Sequence, residues 1–125
     1  MIEILVVDDS RTMRNIVKNI FTELKIVFQC KEAENGKKAF ELLESSNNIL
    51  IVFLDWNMPE MDGMAFLKKV RAMPKYKDLP IVMVTSESGR FSVIEALQNG
   101  ATDYIVKPIK DKIFKEKVTE ILSKR

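Results

Sequence analysis

Residues 49–55 read Ile49-Leu50-Ile51-Val52-Phe53-Leu54-Asp55, six apolar side chains in a row and then one carboxylate. A strand with one face in water alternates polar and apolar residues, whereas a strand covered on both faces shows an unbroken run such as this. Six residues fall far short of a bilayer span, and Met1-Ile2-Glu3 opens no signal peptide, so the run reads as a buried strand of a cytoplasmic protein. Four further aliphatic runs flank it: Ile2 to Val7, Ile26 to Cys30, Ile81 to Val84 and Tyr104 to Val106.

Between the runs the apolar spacing is helical. Met13, Ile16, Val17, Ile20, Phe21 and Leu24 recur by threes and fours behind a Ser10 cap. Ile113, Phe114, Val118, Ile121 and Leu122 repeat that spacing near the end, with Lys117 the one polar residue among them. Shorter helices fit Lys37 to Leu43, Met64 to Met73 and Phe91 to Asn99, punctuated by Asn35-Gly36, Asp62-Gly63 and Asn99-Gly100. Strand then helix, five times over, predicts right-handed crossovers with helices on both faces: an α/β fold, (βα)5, with a doubly wound parallel five-stranded sheet.

At 125 residues, 46% hydrophobic and 30% charged, the expectation is one domain over residues 1–125 with no output domain and a core that needs neither disulfide nor structural metal. Cys30 is the only cysteine, which excludes an intramolecular disulfide or a zinc cluster and fits a reducing compartment. Histidine is absent, so Ser-His-Asp and Cys-His catalysis and histidine metal sites are excluded. Twenty basic against eighteen acidic residues give +2, too balanced to argue by itself for nucleic acid or an acidic membrane, and the expectation is no direct nucleic acid and no membrane insertion.

In open α/β sheets the site lies beyond the carboxyl ends of the strands. Asp8 and Asp9 follow the first run, Asp55 the third, Thr85 the fourth and Lys107 the fifth. Three carboxylates on one rim repel unless a cation sits among them, and their oxygens suit Mg²⁺ or Mn²⁺. Lys107 adds a point charge and Thr85 a hydroxyl, which together with the metal can neutralise the oxygens of a phosphoryl group in transfer. Asp55 stands alone at a central strand end and is the candidate nucleophile, leaving Asp8 and Asp9 to share the metal. Singly, an Asp pair makes turns, Thr85-Ser86 ends a strand and Lys107-Pro108 is a solvated loop. Four complementary strand ends on one rim outweigh those plainer explanations.

The motifs Val6-Val7-Asp8-Asp9-Ser10, Asp55-Trp56-Asn57-Met58-Pro59, Met61-Asp62-Gly63, Thr85-Ser86 and Gly100-Ala101-Thr102-Asp103-Tyr104-Ile105-Val106-Lys107-Pro108 resemble the receiver domain of bacterial two-component response regulators, within it the CheY-like chemotaxis branch. The resemblance covers the whole chain. It implies a flavodoxin-like sheet of strand order 2-1-3-4-5. It implies that Asp55 accepts a phosphoryl group from a sensor histidine kinase, CheA-like in this branch. Asp8, Asp9, Asp55 and the backbone carbonyl of Asn57 would hold Mg²⁺.

Thr85 and Tyr104 would be switch residues, the hydroxyl moving toward the phosphoryl group and the ring turning from exposed to buried. Lys107 would pair with the phosphoryl group, before a cis Lys107-Pro108 peptide. Asn57 and Glu87 would tune the lifetime of the phosphoryl group. Output would pass through the fourth helix, fifth strand and fifth helix to a flagellar motor switch protein. From Lys107 to Arg125 there are seven basic and three acidic residues, a charge suited to an acidic-hydrophobic peptide. Such a receiver would be a monomer and a phosphoacceptor, not a turnover enzyme.

One rival stands close and two stand further off. A single-domain phosphorelay intermediate, or a regulator of something other than a motor, shares every motif. A phosphatase of the haloacid dehalogenase type also uses an aspartyl nucleophile and Mg²⁺. It needs an acid two residues after the nucleophile, where this chain has Ser10 after Asp8 and Asn57 after Asp55. A flavodoxin-like electron carrier needs an anion loop after the first strand, where Asp8 and Asp9 would repel a flavin phosphate.

Overall fold

The computed structural model describes residues 1–124. Strands and helices alternate along the chain: β1 (Ile2–Val7), α1 (Arg11–Thr22), β2 (Phe28–Ala33), α2 (Gly36–Ser45), β3 (Ile49–Leu54), α3 (Gly63–Arg71), β4 (Ile81–Thr85), α4 (Arg90–Gln98), β5 (Asp103–Val106) and α5 (Asp111–Ser123). A short 3-10 turn, Pro74–Tyr76, follows α3 and has no counterpart in the expected elements. The sheet has five strands in the order β2-β1-β3-β4-β5, all parallel.

Strand period sorts the core into two layers. Leu5, Val7, Val52, Leu54, Ile81 and Met83 face α2, α3 and α4 through Leu43, Phe66, Leu67, Val70 and Ala96. Ile4, Val6, Ile51, Phe53, Val82 and Val84 face α1 and α5 through Val17, Ile20, Phe21, Phe114 and Val118. Phe53 stacks on Phe114 at 5.1 Å and meets Phe21 edge-on at 6.2 Å, locking β3 to both helices of that layer.

Polar residues set where the helices begin. Ser10, Asn35 and Asp62 cap α1, α2 and α3 by accepting from the backbone N–H of Met13, Lys38 and Ala65 at 3.2, 2.9 and 2.9 Å. Asn99 closes α4, and Gly100 at φ +103° takes the chain out toward β5, a conformation that a side chain disfavours.

The second strand corrects the sequence reading. It runs from Phe28 to Ala33, not from Ile26 to Cys30, and Val27 is 73% exposed. As an edge strand paired only with β1, it tolerates Gln29, Lys31 and Glu32, which an aliphatic criterion excludes. The other strands match their runs to within a residue at each end. Among the described residues no helix is long and apolar enough to cross a membrane.

Candidate functional site

All five strands are parallel, so their carboxyl ends share one edge, and the strand-end residues meet there. One carboxylate oxygen from each of Asp8, Asp9 and Asp55 lies within 4.8 Å of the others. Asp8 and Asp55 are buried and Asp9 is exposed, so the cluster opens to solvent on the Asp9 side.

Both buried carboxylates are held from two directions. Asp8 Oδ1 accepts from the Ser10 backbone N–H at 2.9 Å and Oδ2 from Lys107 Nζ at 2.9 Å. Asp55 Oδ1 accepts from the Trp56 N–H at 2.7 Å, while Oδ2 receives Lys107 Nζ at 3.3 Å. Burial on its own would lower the Lys107 pKa, but the Asp8 hydrogen bond and the charges of Asp8 and Asp55 outweigh it and raise it above the usual lysine value. Lys107 is followed by a cis peptide to Pro108, the isomer that the family resemblance implies.

Thr85 is fully buried at the end of β4, and its Oγ accepts from the Glu87 N–H at 3.3 Å. Glu87 joins three of the expected residues. Its carboxylate accepts from the Asn57 side-chain amide at 2.9 Å, and its carbonyl accepts from the Tyr104 hydroxyl at 2.6 Å. Tyr104 is half-buried against the layer containing Met83 and Ala96, with its pKa raised first by burial and then by the charges of Glu87 and Asp55. The side chains of Asp8, Asp9, Asp55, Asn57, Thr85, Glu87, Tyr104 and Lys107 therefore lie at or beside this edge.

Other residues shape the site without having been singled out as functional. Gly63 packs so closely on β3's end that an added Cβ would stand well inside contact distance of the Asp55 carbonyl and 2.9 Å from Trp56 Cα. In the sequence Asp62-Gly63 registers as punctuation and as part of the Met61-Asp62-Gly63 motif, with no role at the site attached to it. Arg14 reaches back from α1 to the Asp8 carbonyl at 2.7 Å, and nothing in its sequence position marks it.

Set against known proteins, residues 4–119 match the family model of the response regulator receiver domain. The chain belongs to that family. A chemotaxis protein CheY homolog of Campylobacter jejuni is 48% identical over 120 residues, covering 96% of this chain and 92% of the relative. The receiver fold is shared with the chemotaxis response regulator CheY4 of Vibrio cholerae, at a TM-score of 0.85 and 29% identity over 97% of this chain and 98% of that one. CheY is itself a standard example of the strand-end rule applied above, so this agreement is not an independent success of the rule. The Mn²⁺-bound form of response regulator Rcp1 matches at a TM-score of 0.83 and 25% identity over 98% of this chain and 93% of that one. The chain is thus a receiver of the CheY type, a part of two-component signalling.

Proposed function

We propose that this receiver takes a phosphoryl group onto Asp55 from the phosphohistidine of a sensor histidine kinase and, so modified, binds a flagellar motor switch protein. The observation that carries the reading is the approach of three carboxylates to within 4.8 Å with Lys107 as their cation. Three negative charges against one ammonium leave an excess of two, and all-oxygen donors suit a hard divalent ion. Asp8, Asp9 and Asp55, with the Asn57 carbonyl, would hold Mg²⁺, and Mn²⁺ would fit the same donors. When bound, the ion supplies charge neutralisation for the incoming phosphoryl oxygens.

An Asp55 carboxylate oxygen attacks phosphorus, the P–N bond to the donor imidazole breaks, and its electron pair stays on the nitrogen, which then takes a proton. Lys107 Nζ, already 3.3 Å from Asp55 Oδ2, follows the charge onto the new phosphoryl oxygens. Thr85 and Tyr104 carry the change outward by exchanging partners, the Thr85 hydroxyl turning from the Glu87 N–H to the phosphoryl group. Asn57 and Glu87, joined over the rim, set how readily water reaches the acyl phosphate. Two residues after Asp8 and Asp55 stand Ser10 and Asn57 rather than an acid, so the protein is read as a phosphoacceptor and not as a turnover enzyme.

The output surface is α4, β5 and α5. Phe91, Ile94, Leu97, Val106 and Ile113 are exposed there, and Lys110 and Lys117 line the depression beside Tyr104. An acidic-hydrophobic peptide complements that mixture. Arg125, part of the expected basic run, lies outside the described residues. The protein is read as a cytoplasmic monomer that contacts neither nucleic acid nor lipid.

Acetyl phosphate with Mg²⁺ tests the chemistry. Wild type is expected to be labelled only with the metal and Asp55→Asn not at all, and Trp56 fluorescence is expected to change on Mg²⁺ titration. Labelling of Asp55→Asn would move the acceptor elsewhere. Tighter binding of the phosphorylated form to a motor-switch peptide than to a histidine phosphotransfer domain would separate motor output from a relay.

A further inference from the structure

Arg14 holds a place for which the proposed phosphotransfer has no use. It lies on α1 with 13% of its side chain exposed, its Nη1 donating to the Asp8 carbonyl at 2.7 Å and its Nε to Glu32 Oε1 at 2.9 Å. Lys18 Nζ, one helical turn further on, donates to the other Glu32 oxygen at 2.9 Å. The guanidinium thus spans the start of α1, the end of β1 and the edge strand β2.

We propose that Arg14 is a positioning residue for the cation site, fixing the backbone from which Asp8 and Asp9 project. The inference rests on the cation reading above. β1 ends at Val7, so the Asp8 carbonyl lies beyond the strand. The Asp8 N–H is still tied to the Ala33 carbonyl at 3.0 Å, but it is Arg14 that holds the peptide joining Asp8 to Asp9. Consecutive side chains on an extended backbone point apart, and like charge drives these two further apart. Bringing both carboxylates to one ion requires that peptide to keep its orientation.

A planar guanidinium suits the task because it serves two acceptors in different directions from one rigid group, which an ammonium on a flexible stem does not. Glu32, anchored by Lys18, sets the plane of the fork. The positive charge of Arg14 works the other way, since it repels a cation nearby. The two effects separate in two variants. Arg14→Lys keeps the charge and loses the fork, whereas Arg14→Gln loses both.

The experiment is a Mg²⁺ titration followed by Trp56 fluorescence, well below every variant's melting temperature, beside the thermal midpoint in EDTA. Arg14→Lys is expected to weaken Mg²⁺ binding about tenfold, the range typical of groups that orient metal ligands. Glu32→Gln is expected to weaken it in the same direction by less. If Arg14→Lys binds as wild type does while Arg14→Gln binds more tightly, only charge matters and the positioning role is overturned. A lowered midpoint with unchanged affinity makes Arg14 a brace of the fold and also overturns it. Wild type that binds no Mg²⁺ at all removes the cation reading itself, a failure distinct from either.

Discussion

Lys107 Nζ stands 2.9 Å from Asp8 Oδ2, joining residues 99 positions apart and closing the end of β5 over the end of β1. The same ammonium is 3.3 Å from Asp55 Oδ2. A single flexible cation therefore does for the resting protein part of what a divalent ion would do for the loaded one. An ion bound there would compete with the ammonium for the same carboxylates, and the receiver's stability and metal affinity would then be coupled through Lys107.

Replacing Lys107 with alanine leaves Asp8 and Asp55 facing each other without a cation. In EDTA, Lys107→Ala is expected to lose about 1–3 kcal/mol of stability, the cost of orphaning a charged hydrogen-bonding group. Added Mg²⁺ is expected to stabilise the variant more than wild type, because the competing ammonium is gone. Urea unfolding with and without the metal measures both. Equal Mg²⁺ gains in the two proteins would show that ammonium and metal do not share ligands.

Alkaline pH gives a second view of the same contact. The folded-state pKa of Lys107 lies above the ordinary 10.5, so its contribution is complete below that value, where both states are protonated. As pH climbs past it, the unfolded chain releases its proton first. Folding then takes up a proton, and stability falls until the folded-state value is passed. Urea midpoints followed from about pH 9 to about pH 12 should show this decline in wild type, and Lys107→Met should lack that portion of it. Superimposable curves would mean the lysine gains nothing from its carboxylates.

What the sequence made legible follows from how strongly each feature is constrained. The run ending at Leu54 was unmistakable because β3 is covered on both faces and admits no polar residue. Asp8, Asp55, Thr85 and Lys107 are legible because parallel strands deliver their carboxyl ends to one edge, so position in sequence translates directly into position in space. β2 starts two residues later than the aliphatic run predicts because an edge strand with Lys31 and Glu32 has no aliphatic signature. Arg14 carries no such signal because its contact with the Asp8 carbonyl depends on the reach of a long side chain back over a helix start, which no periodicity encodes. Sequence alone also could not show that Tyr104, Thr85 and Asn57 converge on Glu87, since three separate loops and strands make that junction.

Cys30 faces the layer of α1 and α5, and its thiol is pushed up to about 12, chiefly by burial and then by the charge of Glu32, against the smaller effects of Lys18 and Arg14. The thiolate is the reactive form, so Cys30 is expected to react with iodoacetamide at pH 8 slower than a free cysteine by on the order of a hundredfold. Unfolding in urea is expected to restore the ordinary rate. A folded-state rate equal to that of free cysteine would contradict burial as the cause of the raised thiol pKa.

Two glycines near the site make a matched pair for testing how tightly the Asp55 backbone is held. A Cβ at Gly63 would press into the Asp55 carbonyl and come within 2.9 Å of both the Asp55 carbonyl carbon and Trp56 Cα, all of them backbone atoms that cannot rotate away. At Gly89, ahead of α4, the nearest atom would be Ser92 Oγ at 3.9 Å, and φ is −64°, open to any residue. Gly63→Ala is expected to cost about 3 kcal/mol, at the upper end for overpacking, and to shift whatever Mg²⁺ affinity the wild type has, because the strain falls on the peptide that carries Asp55. Gly89→Ala is expected to stay within about 0.5 kcal/mol of wild type, as surface changes usually do, and to leave that affinity alone. Both are read from urea midpoints and Trp56 titrations of the same preparations. A Gly63→Ala protein as stable as Gly89→Ala would show that the loop between β3 and α3 yields easily, and that the position of Asp55 is set by its hydrogen bonds to Trp56 and Lys107 rather than by packing.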